Sequence, residues 1–369
     1  MPTPNPERCC VYQIGENTAG EILAVAAAPP PYVIRWADTG AADQRWVIVP
    51  GPAGTCRIVN CANGEYMAIG DDGFLVRWAE RDEPGQTFNF VNPSGDWWNI
   101  RAADGKYVSV VLPWGPGVAR LNTQPLLRNE AEKKYQQFKL VPVDEQPRPA
   151  LEPGRYEPGA IPEVPRLTGF GQHPPERSPL YLIGETVLPA TLVDDPSLPD
   201  VVLRVQTSPY YILRREQFWD RTRCSGGDPC LYEHDGHTTK EYETEISYGY
   251  SSAQSSQMEA TTSTKFSAEG KIVFGPRVSA NVSHAVQNEL KVQQSTSSEY
   301  KESIREKAAL NIPDERFIVC NWVLVNRYTL LNMARAEVGR WDVAQYGVLV
   351  SDGFPRKLAL MPADETSEV

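Results

Sequence analysis

Tyr32-Val33-Ile34-Arg35-Trp36-Ala37-Asp38 returns 42 residues later as Phe74-Leu75-Val76-Arg77-Trp78-Ala79-Glu80. The same interval separates Gln44-Arg45-Trp46-Val47-Ile48 from Gln86-Thr87-Phe88-Asn89-Phe90. A third Gln-x-aromatic signal stands at Gln136-Gln137-Phe138. A second theme, Asn63-Gly64-Glu65-Tyr66-Met67-Ala68-Ile69, recurs as Asp104-Gly105-Lys106-Tyr107-Val108-Ser109-Val110, with a degenerate first copy at Gly20-Glu21-Ile22-Leu23-Ala24-Val25. Self-similarity at a fixed period marks units that cannot bury an apolar face alone. Each unit reads as an Asn-Gly or Asp-Gly turn, a short strand, another turn, and a strand carrying Gln-x-aromatic. Three such units around a pseudothreefold axis close a common core.

This pattern resembles the ricin-B-type β-trefoil, and the expected fold of residues 1–145 is that three-lobed domain. The resemblance implies that Trp46, Phe88 and Phe138 fill the core rather than touch a ligand. A sugar site needs an aromatic face for the ring and carboxylate or amide groups for the hydroxyls. Trp36 with Asp38 and Trp78 with Glu80 supply such pairs at equivalent places in two lobes, and Trp114 with Asn122 is a looser third. These six are the candidate carbohydrate or receptor contacts. The sugar-binding lobes of that family also carry an early aspartate, for which this sequence offers no clean match, and lobe three carries an insertion before its final motif. Each pair therefore competes with a plain surface or core tryptophan, since trefoils host unrelated functions.

From Pro142 to Pro179 prolines are too dense for a helix or a central strand. Residues 146–179 read as an extended linker that wraps along a neighbouring surface, leaving 180–369 as a second domain. There, strand-like segments follow at Leu180-Tyr181-Leu182-Ile183-Gly184, at 186–195, and at Pro209-Tyr210-Tyr211-Ile212-Leu213 with Phe218-Trp219 beyond. Between Tyr242 and Phe274 bulky residues keep mostly one parity, including Met258, Phe266, Ala268, Ile272 and Phe274. After Gly275-Pro276, Val278, Ala280, Val282 and Val286 alternate with polar residues. Period two places one set on one face of a strand. The expectation is an amphipathic hairpin with arms near 266–274 and 278–286, each about as long as a tilted membrane-spanning strand of ~9–11 residues. An ordinary sandwich hairpin satisfies the same pattern. Glu299 to Leu310 reads either as a helix, with Tyr300, Ile304 and Ala308 four apart, or as part of a long strand.

The Pro-Tyr-Tyr-Ile-Leu stretch with its following aromatic pair, and the Leu-Pro…Val-Asp-Asp segment before it, resemble the Bin-type insecticidal crystal toxins (the Tpp, or toxin-ten, family). The resemblance spans nearly the whole chain. It implies an all-β protein, an N-terminal β-trefoil followed by an elongated aerolysin-like pore-forming sheet domain. It further implies an insecticidal toxin that binds a gut-cell receptor or glycan, forms a homo-oligomer, and inserts the hairpin into the target membrane. Proteolytic trimming and a second toxin component occur in such families. A lectin without pore activity is the rival reading. The resemblance to the toxin family also favours part of a long strand for 299–310.

Composition narrows the field. The 369 residues carry a net charge of −11 and are 41% hydrophobic. An acidic surface does not suit nucleic acid, whose phosphates need dense cationic neutralisation. No run approaches the ~20 apolar residues of a membrane-spanning helix. The Met1–Pro6 stretch has no apolar core, so synthesis in the cytoplasm without a signal peptide, possibly into crystal inclusions, and action outside target cells are expected. Seven cysteines are an odd number for a disulfide scaffold. Cys56/Cys61 and Cys224/Cys230 are spaced for small local loops, and Cys320, within an apolar run, reads as a buried thiol. Cys224, Cys230, His234 and His237 fit no zinc spacing, and no phosphate loop, nucleophile elbow or zinc-protease helix is present. No cofactor, metal or catalytic residue is expected.

Overall fold

The computed structural model describes residues 11–27, 30–51, 54–81, 83–112, 118–143, 146–224, 231–234, 242–247, 252–266, 271–295, 305–310 and 316–355. Among the described residues the first unit has twelve strands: β1 (Val11–Glu16), β2 (Ile22–Val25), β3 (Val33–Trp36), β4 (Trp46–Pro50), β5 (Cys56–Asn60), β6 (Tyr66–Ile69), β7 (Leu75–Trp78), β8 (Phe88–Ser94), β9 (Trp97–Ala102), β10 (Tyr107–Val111), β11 (Arg120–Gln124) and β12 (Phe138–Pro142). Antiparallel pairing runs β1–β4–β5–β8–β9–β12 and back to β1, closing a six-stranded barrel. Closure removes every edge from this ring. The hairpins β2–β3, β6–β7 and β10–β11 cap one end. Three equivalent bonds tie the caps together: Arg35 N–H to Ala119 O, Arg77 N–H to Pro31 O, and Thr123 N–H to Gly73 O. This is a β-trefoil.

The repeated glutamines explain why the motif recurs. The Gln44 amide donates to Ala37 O and accepts from Thr39 N–H. Gln86 does the same with Ala79 O and Arg81 N–H, and Gln136 with Pro125 O and Leu127 N–H. Each buried amide thus pins the loop that leaves its cap hairpin. Two residues later in each lobe, Trp46, Phe88 and Phe138 are fully buried in one cluster with Ile14, Ile58 and Ile100. The insertion in lobe three holds α1 (Glu130–Lys133), capped by the Asn129 side chain on Ala131 N–H.

The second unit comprises β13 (Tyr181–Pro189), α2 (Val201–Thr207), β14 (Tyr210–Arg221), β15 (Arg223–Cys224), β16 (Tyr232–His234), β17 (Tyr242–Ser247), α3 (Ser252–Thr262), β18 (Thr264–Phe266), β19 (Lys271–Phe274), α4 (Ala280–Glu289), β20 (Gln293–Gln294), β21 (Arg305–Leu310), β22 (Phe317–Asn332) and β23 (Glu337–Phe354). The long β14 and β22 pair in the middle of the main sheet, flanked by β13 and β23. Where β14 leaves β22, β16 takes over the pairing. β17 pairs with β15 and β21 in a separate sheet. Residues 305–310 are therefore strand, whereas 299–304 lie outside the described residues.

One face of the main sheet is shared between two covers. The proline-rich segment seats Ile161, Val164 and Leu167 over Ile183, Trp219, Cys320, Trp322 and Leu324. Its backbone is bound directly: Arg155 N–H donates to Leu182 O, Gly159 N–H to the Gln217 side chain, and the Trp219 indole N–H to Pro162 O. A segment whose ladder bonds are limited to one isolated bridge, Arg177 to Asp220, thus becomes the lid of a core. The Cys320 thiol is buried there, and burial pushes its pKa up to about 11. The other half of that face is covered by residues 252–294. The trefoil joins the same core through Val11, Val47 and Val59, which pack with Leu192, Val201, Val202 and Val205.

The 252–294 segment departs from the expected hairpin. Among the described residues only 264–266, 271–274 and the short 293–294 pair as strands; 252–262 and 280–289 are helical. The reason lies in the spacing. Val278, Val282, Val286 and Leu290 are four apart, so the same residues satisfy both period two and one helical face. Ser279 decides for the helix: its hydroxyl caps the first turn by accepting from Val282 N–H. Gly275-Pro276 leads into α4 rather than into a second arm.

Candidate functional site

Two places carry the residues singled out above. In the trefoil, cross-strand register makes Trp36 (opposite Ile22) and Trp78 (opposite Tyr66) equivalent, and puts Gln124 (opposite Tyr107) in the third position. Asn122 lies two residues earlier on β11, so the Trp114–Asn122 pair is not the counterpart of the other two; Trp114 itself lies outside the described residues. The Trp36 side chain is open, at 47% exposure. Near it, Asp38 accepts from the Gln13 amide at 2.8 Å and from Gly40 N–H at 2.9 Å, which orients the carboxylate.

Lobe two is more closed. Trp78 is half-buried under the Arg81 guanidinium, 5.0 Å from the ring centroid. Glu80 is held by Arg57 at 2.7 Å. Tyr66 beside it packs into the core shared with the second unit, and burial, then the Glu80 carboxylate, pushes its pKa up to about 12. Of the sugar-type pairs, lobe one alone joins an open indole face to a carboxylate without an ion-pair partner among the described residues.

The sequence offers no clean match to an early aspartate, but Glu16 places a carboxylate early in lobe one. Glu16, Asn60 and Ala102 occupy equivalent turn positions, their N–H groups bonding Glu21 O, Glu65 O and Lys106 O. The Glu16 carboxylate accepts from the Thr18 hydroxyl and from Thr18, Ala19 and Glu21 N–H. Burial acts to raise its pKa, but these bonds outweigh it and hold the group below its ordinary value. Glu16 therefore shapes the turn below the cap hairpin. The signal available in sequence was Glu16-Asn17-Thr18, an acceptor ahead of a tight turn.

The second place is the segment under the sheet. Met258, Phe266, Ile272, Val282 and Val286 are all fully buried against Tyr328, Trp341 and Val343. Phe274 and Val278 are partly buried against the same cluster, Ala280 is exposed, and Ala268 lies outside the described residues. Polar contacts fix both ends. At the near end Arg277 donates to Asp194 at 3.0 Å and to the Ser263 hydroxyl, while Asp194 N–H donates to Thr261 O. At the far end the buried Arg215 donates to Leu290 O at 2.9 Å and Lys291 O at 2.7 Å, and Lys291 reaches Glu157. Arg215 was legible as an anomaly: Tyr211, Leu213 and Trp219 share its strand parity and are core residues.

Residues 181–356, the whole of the main sheet and its covers apart from the proline-rich strap, match the family model described as Insecticidal Crystal Toxin, P42. Over that span, just under half of its length, the chain resembles the toxin-ten family. It is similar to the insecticidal crystal protein Cry35Ab1 of Bacillus thuringiensis, with 20% identity over 351 residues, 92% of this chain and 84% of that protein. The crystal structure of Cry35Ab1 covers 94% of this chain and 90% of its own at TM-score 0.63 and 18% identity, a likeness of fold. A designed threefold-symmetric protein, ThreeFoil, aligns with 36% of this chain and 99% of its own at 17% identity and TM-score 0.33. The trefoil of this chain rests instead on its own closed strand pairing. The fold is that of a trefoil joined to a β-sheet domain, and the matched family is one of insecticidal toxins.

Proposed function

We propose that this chain is a β-pore-forming insecticidal toxin. The trefoil recognises a glycan or glycoprotein on gut cells, with Trp36 and Asp38 as its leading contacts. Protomers then assemble, and the 252–294 segment leaves the sheet to enter the membrane as a β-hairpin. The toxin acts outside its target cells, and some members of such families work with a second component.

The observation that carries this reading is the stowing of the segment's alternating apolar residues. Met258, Phe266, Ile272, Val282 and Val286 are all turned into one core, and the pieces between them carry Thr261, Thr262, Ser263, Thr264, Ser267, Ser279 and Ser283. Helix α4 needs only its four-residue spacing; it does not need the parity that Val278, Val282 and Val286 share with Phe266, Ile272 and Phe274. A lipid-exposed barrel does, because lumen and lipid faces alternate and closure must pair every backbone group. Transfer exchanges burial in the protein for burial in lipid, so the apolar area is conserved while neighbouring hairpins supply the hydrogen bonds.

Dye-loaded vesicles prepared from susceptible gut cells test it. Leakage together with a membrane-extracted oligomer is expected. Binding without leakage would leave a lectin and refute the pore.

A further inference from the structure

We propose that Arg215 is the latch that keeps the 252–294 segment on the sheet, releasing it without unfolding the strands beneath. This rests on the reading of that segment as the part that moves.

The geometry is specific. Arg215 points from the middle of β14 into the core, where its Nε and one terminal nitrogen donate to the Asn326 amide oxygen. Gln217 donates to the same oxygen. Its remaining terminal nitrogen is thereby aimed at Leu290 O and Lys291 O, where α4 ends. A helix leaves its last carbonyls unpaired, and its dipole places partial negative charge there. Arg215 answers both from a fixed position in the sheet.

The sheet is also shaped to receive that end. β13 shifts register between Leu182 and Gly184. A Cβ built on Gly184 would lie 2.0 Å from Glu289 O, so the helix end touches bare backbone. α4 itself has ten residues and buries only Val282 and Val286 within its span. A helix this short is marginal without tertiary support, which concentrates its stability at this end.

The test is amide hydrogen exchange on Arg215→Lys, which keeps a charge but cannot span Asn326 and both carbonyls. A second variant, Gly184→Ala, lifts the helix end while leaving Arg215 intact. The expected result in at least one folded variant is about tenfold faster exchange across 271–294, with β14, β22 and the trefoil protected as before. Unchanged exchange in 271–294 in both variants would overturn the latch. So would loss of protection in β14 and β22 together with the segment, which would make Arg215 an ordinary core residue. Vesicle leakage by the same variants is read separately: selective loosening without any leakage leaves the latch standing and sinks the pore.

Discussion

Phe266 lies flat on Tyr328, ring centroids 3.7 Å apart and planes 15° from parallel. One ring belongs to the short hairpin under the sheet, the other to the central strand β22. The stack joins the segment assigned to move and the scaffold that stays. Replacing Phe266 with alanine removes a fully buried ring, a change that costs about 3–5 kcal/mol in a core. The expected outcome is a segment that opens before the sheet unfolds, seen as early protease cleavage within 252–294 while the thermal transition of the rest is retained. Phe266→Leu should do so far less.

The Gln-x-aromatic repeat predicts a different kind of damage. Gln86→Leu would keep the volume of the side chain but leave Ala79 O and Arg81 N–H without their partner. Orphaned buried groups cost ~1–3 kcal/mol each. Urea denaturation should show a destabilised trefoil, with Gln44→Leu and Gln136→Leu behaving alike because each replaces the same two bonds.

Trp36 should separate binding from folding. Its side chain is open and exposed substitutions usually change stability by about 0.5 kcal/mol or less. Trp36→Ala is expected to melt like the parent and to lose binding to target membranes. Asp38→Asn should weaken binding with the melt unchanged. Parent-like binding by Trp36→Ala would move the receptor site elsewhere.

Acid should loosen the strap over the sheet. The Glu185 side chain is buried between Arg214 and Arg335, each 2.7–2.9 Å away, and accepts Glu152 N–H. Burial acts to raise its pKa, yet bonds from Arg335, Glu152 N–H and Arg214 outweigh that and hold it below its ordinary value. Its contribution is therefore complete above the unfolded value of ~4.3 and lost as pH falls through the lower folded value. Glu16 and Asp195 are also lowered and act in the same direction. Glu216 is raised, chiefly by burial, so its contribution fades as pH rises through its folded value. Stability measured from pH 6 down to pH 3 should fall, and Glu185→Gln should be less stable at pH 6 with a shallower acid limb.

How much of this was legible in the sequence follows from how each signal works. The trefoil was legible because its repeat carries register: Gln44, Gln86 and Gln136 make the same two bonds, so selection of one bond pattern leaves one visible motif. The sheet was legible in part, through Tyr210 to Leu213 and the apolar run 317–325. Helix α4 (Ala280–Glu289) was not, because a four-residue spacing is compatible with a strand and with a helix, and Ser279 is decisive only once it caps. The proline-rich segment could be seen to lack regular structure, but its bonds go to β13 and β14, partners no local pattern reveals. In the site, Trp36 and Trp78 look equivalent in sequence and differ in the fold, because the second unit packs beside Tyr66 and Arg57 draws in Glu80. Arg215 and Glu16 were visible only as polar residues in unexpected places.

The central claim is that the 252–294 segment leaves the sheet and enters lipid as a strand pair. An environment-sensitive fluorescent amino acid, placed singly at each position from 271 to 282, tests this on protein bound to vesicles from susceptible cells. The account predicts that probes at 272, 274, 278, 280 and 282 brighten on membrane binding and are quenched by lipid-borne quenchers, while those at 271, 273, 277, 279 and 281 stay in water. A response every third or fourth residue, or none while the vesicles leak, would contradict it.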